Sequence, residues 1–209
     1  MFTGIIKEVG TIEKIEKTGQ GIKISVKCQK ILNDLTLGDS VSVDGVCLTA
    51  SLISKSSFSV YASEETIKKT TLAQLRKGAF VNLEPALKAQ DPIGGHFVQG
   101  HIEGVGKVVS ISKKGDEIHI KIKIPKELSK NVIKKGSIAV SGVSLTVSSF
   151  KNDTVDIFLI PFTLNSTNLK NLKKDSPVNI ETDILCRTVV SFLENKRELK
   201  IEDLIDEGY

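Results

Sequence analysis

The chain repeats itself. Val43-Asp44-Gly45-Val46-Cys47-Leu48-Thr49 returns 97 residues later as Val140-Ser141-Gly142-Val143-Ser144-Leu145-Thr146. The same offset carries Thr66 to Thr163, Thr70 to Thr167, Leu72 to Leu169 and Val81-Asn82-Leu83-Glu84 to Val178-Asn179-Ile180-Glu181. Nearer the N-terminus the offset is 96, taking Gly4 to Gly100 and Val9-Gly10 to Val105-Gly106. Such a period belongs to a domain and is too long for a solenoid repeat. The 209 residues suit two modules of about 90, each near the small end of self-sufficient cores. Two like modules imply two like pockets, so the function should need two copies of one ligand.

Composition removes several alternatives. Hydrophobic content of 40% and charged content of 26% are those of an ordinary soluble protein. The formal charge of +4 comes from scattered lysines, which reads as a solvated surface. Binding of single-stranded nucleic acid would want stacking platforms, yet aromatics are 5% and Trp is absent. No apolar run approaches the ~18 residues of a membrane helix, and no signal peptide is expected. Cys28, Cys47 and Cys186 are odd in number and lack metal spacing, so they read as reduced thiols of a cytosolic protein, with no metal.

Periodicity predicts the strands. Ile22, Ile24, Val26 and Cys28 alternate with Lys23, Ser25 and Lys27; Ile118, Ile120, Ile122 and Ile124 alternate with His119, Lys121 and Lys123. Turns precede both runs, at 18–21 and at Lys113-Lys114-Gly115-Asp116. Further strands are expected near 40–44, 46–54, 57–63 and 80–86, with one before the first turn. The second set is expected near 101–111, 117–124, 137–141, 143–150, 154–160 and 177–183. A short helix is expected over 65–76 and again over 163–174. The fold class is therefore all-β: two tandem six-stranded antiparallel barrels, with a sandwich of the same strands as rival. Pro92 and Gly94-Gly95 break the linker, dividing modules 1–96 and 97–183. A tail, 184–209, should contain a helix over 184–195 with Leu185, Val189, Val190 and Leu193 on one stripe, and a second amphipathic piece through Ile201, Leu204 and Ile205.

Differences between the copies are the more informative signal. Cys47 faces Ser144, Ile5 faces His101, Ala86 faces Asp183 and Gly38 faces Lys135, so ionisable groups accumulate in the second module. If both bind one ligand, this asymmetry gives two identical molecules different fates.

Met1-Phe2-Thr3-Gly4-Ile5, the two turn motifs above, Gly94-Gly95-His96-Phe97-Val98-Gln99-Gly100-His101 and Val178 to Asp183 together resemble riboflavin synthase of the α-chain type. The resemblance runs in order from residue 1 to about 183, with a family-like helical tail beyond. It implies Greek-key barrels, a homotrimer joined through the C-terminal helix, and lumazine synthase as a further partner. It implies no cofactor: two molecules of 6,7-dimethyl-8-ribityllumazine exchange a four-carbon unit, giving riboflavin and a ribitylamino-pyrimidinedione. In the family each site forms between the N-terminal barrel of one subunit and the C-terminal barrel of another.

Carried onto matching positions, the resemblance gives the catalytic candidates His101, Asp183, Ser40 and Cys47. His101 would move protons near neutral pH, with Asp183 positioning it or a water. Cys47 reads as acid, nucleophile or small wall residue, and Ser144 at its equivalent argues against an obligatory thiolate. For the first ring the lining would be Cys47, Leu48 and Thr49, then Tyr61, Ala62, Ser63, Glu64, Glu65 and Thr66. For the second it would be Ser144, Leu145 and Thr146, then Phe158, Leu159, Ile160, Pro161, Phe162 and Thr163. Gly4, Ile5, Ile6, Gly100, Ile102 and Lys135 complete the set, and Phe2 is either an aromatic reaching the site or a plug. Phe162 stands where the family carries an acidic residue. His96 has two readings, a partner of His101 in proton transfer and, preferred, a structural residue of the linker, while His119 reads as solvent-facing. The rival function is a non-catalytic lumazine- or flavin-binding antenna protein; such proteins lose one pocket motif, and here both stand.

Overall fold

Alternation along the chain becomes alternation of burial. In the computed structural model, which describes residues 1–115 and 117–197, the first six strands are β1 (Glu8–Thr18), β2 (Gly21–Lys27), β3 (Ser40–Val43), β4 (Val46–Ile53), β5 (Ser57–Ala62) and β6 (Phe80–Pro85). They pair antiparallel in the closed order β1-β2-β5-β4-β3-β6, which leaves no free edge. β2 lies beside β5 and not β3, the Greek-key crossing. Ile12, Ile24, Val26, Phe58, Val60 and Leu83 fill the barrel, so the sandwich alternative is set aside.

The second module has seven strands where six were expected. They are β7 (Gly104–Lys114), β8 (Glu117–Lys123), β9 (Ser137–Val140), β10 (Val143–Thr146), β11 (Ser149–Lys151), β12 (Thr154–Leu159) and β13 (Pro177–Thr182). The sheet order β10-β9-β13-β7-β8-β12-β11 puts the two halves of the expected 143–150 strand at its two ends. The break at Val147-Ser148 matches the place where β4 slips register between Ala50 and Leu52. A strand curving round a small barrel must bend there; one copy does so with a bulge, the other by breaking. The Ser148 amide donates to the Asp156 carbonyl at 2.8 Å and bridges the gap. β7 starts at Gly104, so residues 97–103 lie outside the strand expected from 101.

Each expected single helix is two pieces: α1 (Glu64–Lys69) with a 3₁₀ turn Thr71–Gln74, and α2 (Pro161–Ser166) with a 3₁₀ turn Asn168–Asn171. Thr70 and Thr167 cause the division. Both are extended, and their hydroxyls donate to Thr66 O at 2.7 Å and Thr163 O at 2.8 Å while capping the Leu72 and Leu169 amides. α3 (Ile184–Arg197) starts where the Asp183 carboxylate accepts the Leu185 amide at 2.9 Å. Its Leu185, Val189, Phe192 and Leu193 are exposed. Asp116 and the expected second amphipathic piece, through Ile201, Leu204 and Ile205, lie outside the described residues.

The modules meet about a pseudo-twofold axis. Asn82 donates to Ser141 O at 2.9 Å and accepts the Asn168 amide at 2.7 Å; its counterpart Asn179 donates to Asp44 O at 2.8 Å and accepts the Thr71 amide at 2.8 Å. The turns touch by backbone: a Cβ on Gly45 would lie 2.6 Å from the Gly142 nitrogen, and one on Gly142 2.7 Å from the Gly45 nitrogen.

Two candidate ligand pockets built with exchanged segments

The N-terminal segment of each module leaves its own barrel and docks on the other. The Ser144 amide donates to Gly4 O at 2.8 Å, and the Cys47 amide donates to Gly100 O at 2.8 Å. Ile6 packs against the core of the second barrel and Ile102 against that of the first. Where the segments pass each other, Phe2 and Val98 pair through hydrogen bonds of 2.7 and 3.1 Å. Glycine is required at both docking points. Each has a positive φ, and a Cβ on either would meet the Cys47 or Ser144 Cβ at 2.6 Å.

Residues expected at the first site gather on the outer face of β4, around the end of β5 and at the start of α1. Cys47 is half-buried, Thr49 is exposed, and Ser40 pairs with Thr49 across β3 and β4. Tyr61 is exposed; Ser63 caps α1 by accepting the Thr66 amide at 3.2 Å, with the two hydroxyls 3.0 Å apart. Glu64 and Glu65 are engaged by Lys68 and Lys69 at 2.6 and 2.8 Å. Gly100-His101-Ile102 joins from the second module, with His101 exposed. Leu48 and Ala62 point into the barrel, so a ligand would meet only their backbone.

The second site repeats this frame with different groups. Ser144 is half-buried and Thr146 exposed on β10, and the wall continues through Phe158, Ile160, Pro161, Phe162 and Thr163. Leu145 and Leu159 are buried inward, and Phe162 is 76% exposed. Gly4-Ile5-Ile6 joins from the first module. Lys135 sits exposed in a turn with φ 68°, a left-handed conformation that Gly38 adopts in the first copy.

Of the two readings of His96, its contacts favour the one beside the candidate site: its Nδ1 lies 2.8 Å from Ser144 Oγ. Burial depresses its pKa and the nearby Asp183 charge opposes that, so the neutral imidazole is favoured; Nε2 has no hydrogen-bond partner among the described residues. Asp183 therefore stands with His96 and Ser144, and within one chain His101 belongs to the other pocket. No sequence signal gave this, since His96 follows a Gly-Gly linker and Ser144 lies 48 positions away.

One further expectation is corrected in part. His119 stands on the polar outer face, as expected, but is only partly exposed: its ring stacks on Phe158 with centroids 4.5 Å apart, and Nε2 lies 3.8 Å from Asp156 Oδ2. The cross-strand pair His119↔Phe158 explains this, because both side chains stand on the outer face of the sheet. Phe2 is fully buried in a cluster with Val98 and Ala139, separate from both barrel cores, on which Cys47 and Ala86 pack; it plugs neither barrel and lies beside the candidate site residue Cys47.

Elsewhere, a cavity of about 1080 Å³ lies between the β1–β2 hairpin and α1; of the candidate residues it touches only Glu64. Cys28 is buried and its thiol is pushed up to about 12, chiefly by burial and then by Glu8. Among the described residues no group of three His, Cys, Asp or Glu is placed to hold a metal, and no helix is long and apolar enough to cross a membrane.

The model of the lumazine binding domain matches this chain twice, over residues 3–86 and 99–183. Riboflavin synthase from Bacillus subtilis (strain 168) is 42% identical over 209 residues, covering 100% of this chain and 97% of the relative. The chain belongs to the riboflavin synthase family. The Actinobacillus pleuropneumoniae riboflavin synthase is 38% identical, with 100% of both chains covered. Among solved structures, LumP complexed with riboflavin aligns with a TM-score of 0.81 at 33% identity, covering 87% of this chain and 99% of that one. LumP complexed with 6,7-dimethyl-8-(1'-D-ribityl) lumazine gives 0.79 at 32% identity, with the same coverage.

Proposed function

We propose that this chain is a transferase that dismutates two 6,7-dimethyl-8-ribityllumazine molecules, giving riboflavin and 5-amino-6-(D-ribitylamino)uracil. Four carbons pass from one ring system to the other. The observation that supports the reading is the pair of equivalent surfaces on one backbone frame, each docked by the other module's N-terminal segment, with unlike polar groups: Cys47, Ser40 and His101 at one, Ser144, His96 and Asp183 at the other.

The chemistry asks little of the protein. The lumazine C7 methyl is acidic because its carbanion delocalises into the electron-poor ring. The protein's tasks are to hold two rings in register and to move protons. In this reading hydroxyls and backbone groups at Thr49, Thr66, Thr146 and Thr163 orient the rings and ribityl chains. His101 transfers protons in the first pocket. His96, kept neutral by burial, acts as acceptor beside Ser144 in the second. No cofactor is required. The exposed stripe of α3 is proposed to join three chains, bringing the first pocket of one against the second of another.

The antenna reading draws on the LumP likeness. Both pocket motifs, and the higher identity and fuller coverage of the riboflavin synthases, favour the enzyme. Incubating the purified full chain with the lumazine alone tests the proposal. Flavin and pyrimidinedione should appear in equal amounts; tight binding without turnover would replace this reading with the antenna.

A further inference from the structure

Glu84 and Glu181 stand at equivalent positions of the two modules and are buried, 3% and 0% exposed. A buried carboxylate needs donors, and both find them in the exchanged segments. Glu84 accepts the Thr3 amide at 2.8 Å, the Thr3 hydroxyl at 2.7 Å and the Gly4 amide at 3.0 Å. Glu181 accepts the Gln99 amide at 2.7 Å and the Gly100 amide at 2.9 Å. The next carbonyls along each segment, Gly4 O and Gly100 O, receive the amides of Ser144 and Cys47.

We propose that Glu84 and Glu181 are positioning residues that each set the geometry of the opposite module's pocket. Glu84, on β6 of the first barrel, holds Gly4-Ile5-Ile6 against Ser144 in the second. Glu181, on β13 of the second, holds Gly100-His101-Ile102 against Cys47 in the first. Carboxylates suit the task because each receives donors on both oxygens from successive peptides; that fixes the rotation of the segment as well as its distance. The two clamps are not equal. Arg187 of α3 donates to the Gln99 side chain at 2.8 Å and lies 4.0 Å from Glu181 and 3.6 Å from Glu103. The segment carrying His101 is thus tied to α3, whereas the cation acting on Glu84 is Lys7 of the exchanged segment's own continuation.

The functional half of this inference rests on the reading that lumazine binds at Cys47 and Ser144; the structural half does not. Amide exchange and lumazine titration, followed by NMR on the full chain at the Cys47 and Ser144 amides, separate the two. In Glu84→Gln the new NH₂ group opposes a backbone donor at unchanged volume. The Ser144 amide should exchange about tenfold faster while Cys47 stays within about twofold, and the lumazine affinity reported at Ser144 should fall about tenfold with Cys47 unmoved. Glu181→Gln should give the mirror pattern. Thr3→Val, which removes the 2.7 Å hydroxyl bond to Glu84 and the 3.3 Å bond that the same hydroxyl accepts from the Ile5 amide, should give a smaller loss at Ser144 alone and serves if the Gln variants do not fold. Changes confined to the substituted residue's own module, equal changes in both, or none would overturn the inference. If lumazine moves neither amide in the unsubstituted chain, the functional reading fails, and the exchange pattern still decides the clamps.

Discussion

The first module closes six unbroken strands into a barrel, while the second is a seven-stranded barrel-like sheet whose end strands are the two halves of a strand broken at Val147-Ser148. The first places glycine at two left-handed turn positions, Gly38 and Gly78; the second has Lys135 and Asp175 there, at φ 68° and 70°. The cores correspond closely, with Val41, Val43, Leu48 and Leu83 answered by Ile138, Val140, Leu145 and Ile180. Side chains inside a small barrel are constrained by volume, so drift there is costly, whereas polar groups on the rims can diverge freely. The difference teaches that the duplication kept its frame and separated its chemistry.

The sharpest way to break that comparison is at the histidines. His101→Gln should lower turnover about 10²-fold or more with lumazine affinity nearly kept, the usual scale for a lost proton-transfer group. His119→Gln, which disturbs the stack on Phe158 and the contact with Asp156, should cost far less. Steady-state flavin formation measures both, and equal losses would mean that the asymmetry between the modules is not where the chemistry lies.

A smaller effect is expected at the interface. Asp44 faces Ser141 in the repeat, and its buried carboxyl is raised to about 7 by desolvation, against the opposing hydrogen bonds from Asn82 and Asn168. A raised folded pKa means that the native state binds the proton more tightly. Its contribution to stability is full below about pH 4 and is lost as pH rises to about 7. Asn keeps the acceptor and cannot titrate. Asp44→Asn should therefore flatten that decline by about 1–3 kcal/mol in denaturant titrations between pH 4 and 7.5. An unchanged slope would show that Asp44 titrates as it does in water.

The smallest effect concerns the left-handed turns. Lys135→Gly should stabilise the chain by about 0.5–1 kcal/mol, because relief of the left-handed strain exceeds the added flexibility of the unfolded chain. If Lys135 serves the ligand, the same substitution should also weaken lumazine binding. Gly38→Lys should destabilise by a similar amount with no such loss. Thermal melts and ligand titration on the pair separate a strained turn kept for function from one that merely drifted.

Much of the fold was legible because each part has a local cause. Alternating residues gave the strands, Gly45 and Gly142 the tight turns, and the 97-residue offset the two copies. Local rules lost where two local preferences competed. Helical spacing runs through Thr70 and Thr167, yet their hydroxyls end one helix and cap the next. Polar alternation put His119 outside correctly, but could not show that Phe158 would be its cross-strand neighbour.

By itself the sequence determined a duplicated all-β chain, the membership of its two pocket motifs and the residues by which they differ. Repetition and periodicity are properties of the chain, and burial of alternate side chains follows from them. Tertiary structure alone decided which barrel each segment meets. The segment 1–6 precedes the first barrel in sequence but docks on the second, and 97–102 docks on the first. That exchange depends on close backbone approach at Gly4, Gly100, Gly45 and Gly142 and on buried carboxylates more than 80 positions from most of the peptides they hold. Contacts of that kind are fixed by the packing of two finished barrels, and a pattern read along one chain has no means of recording them.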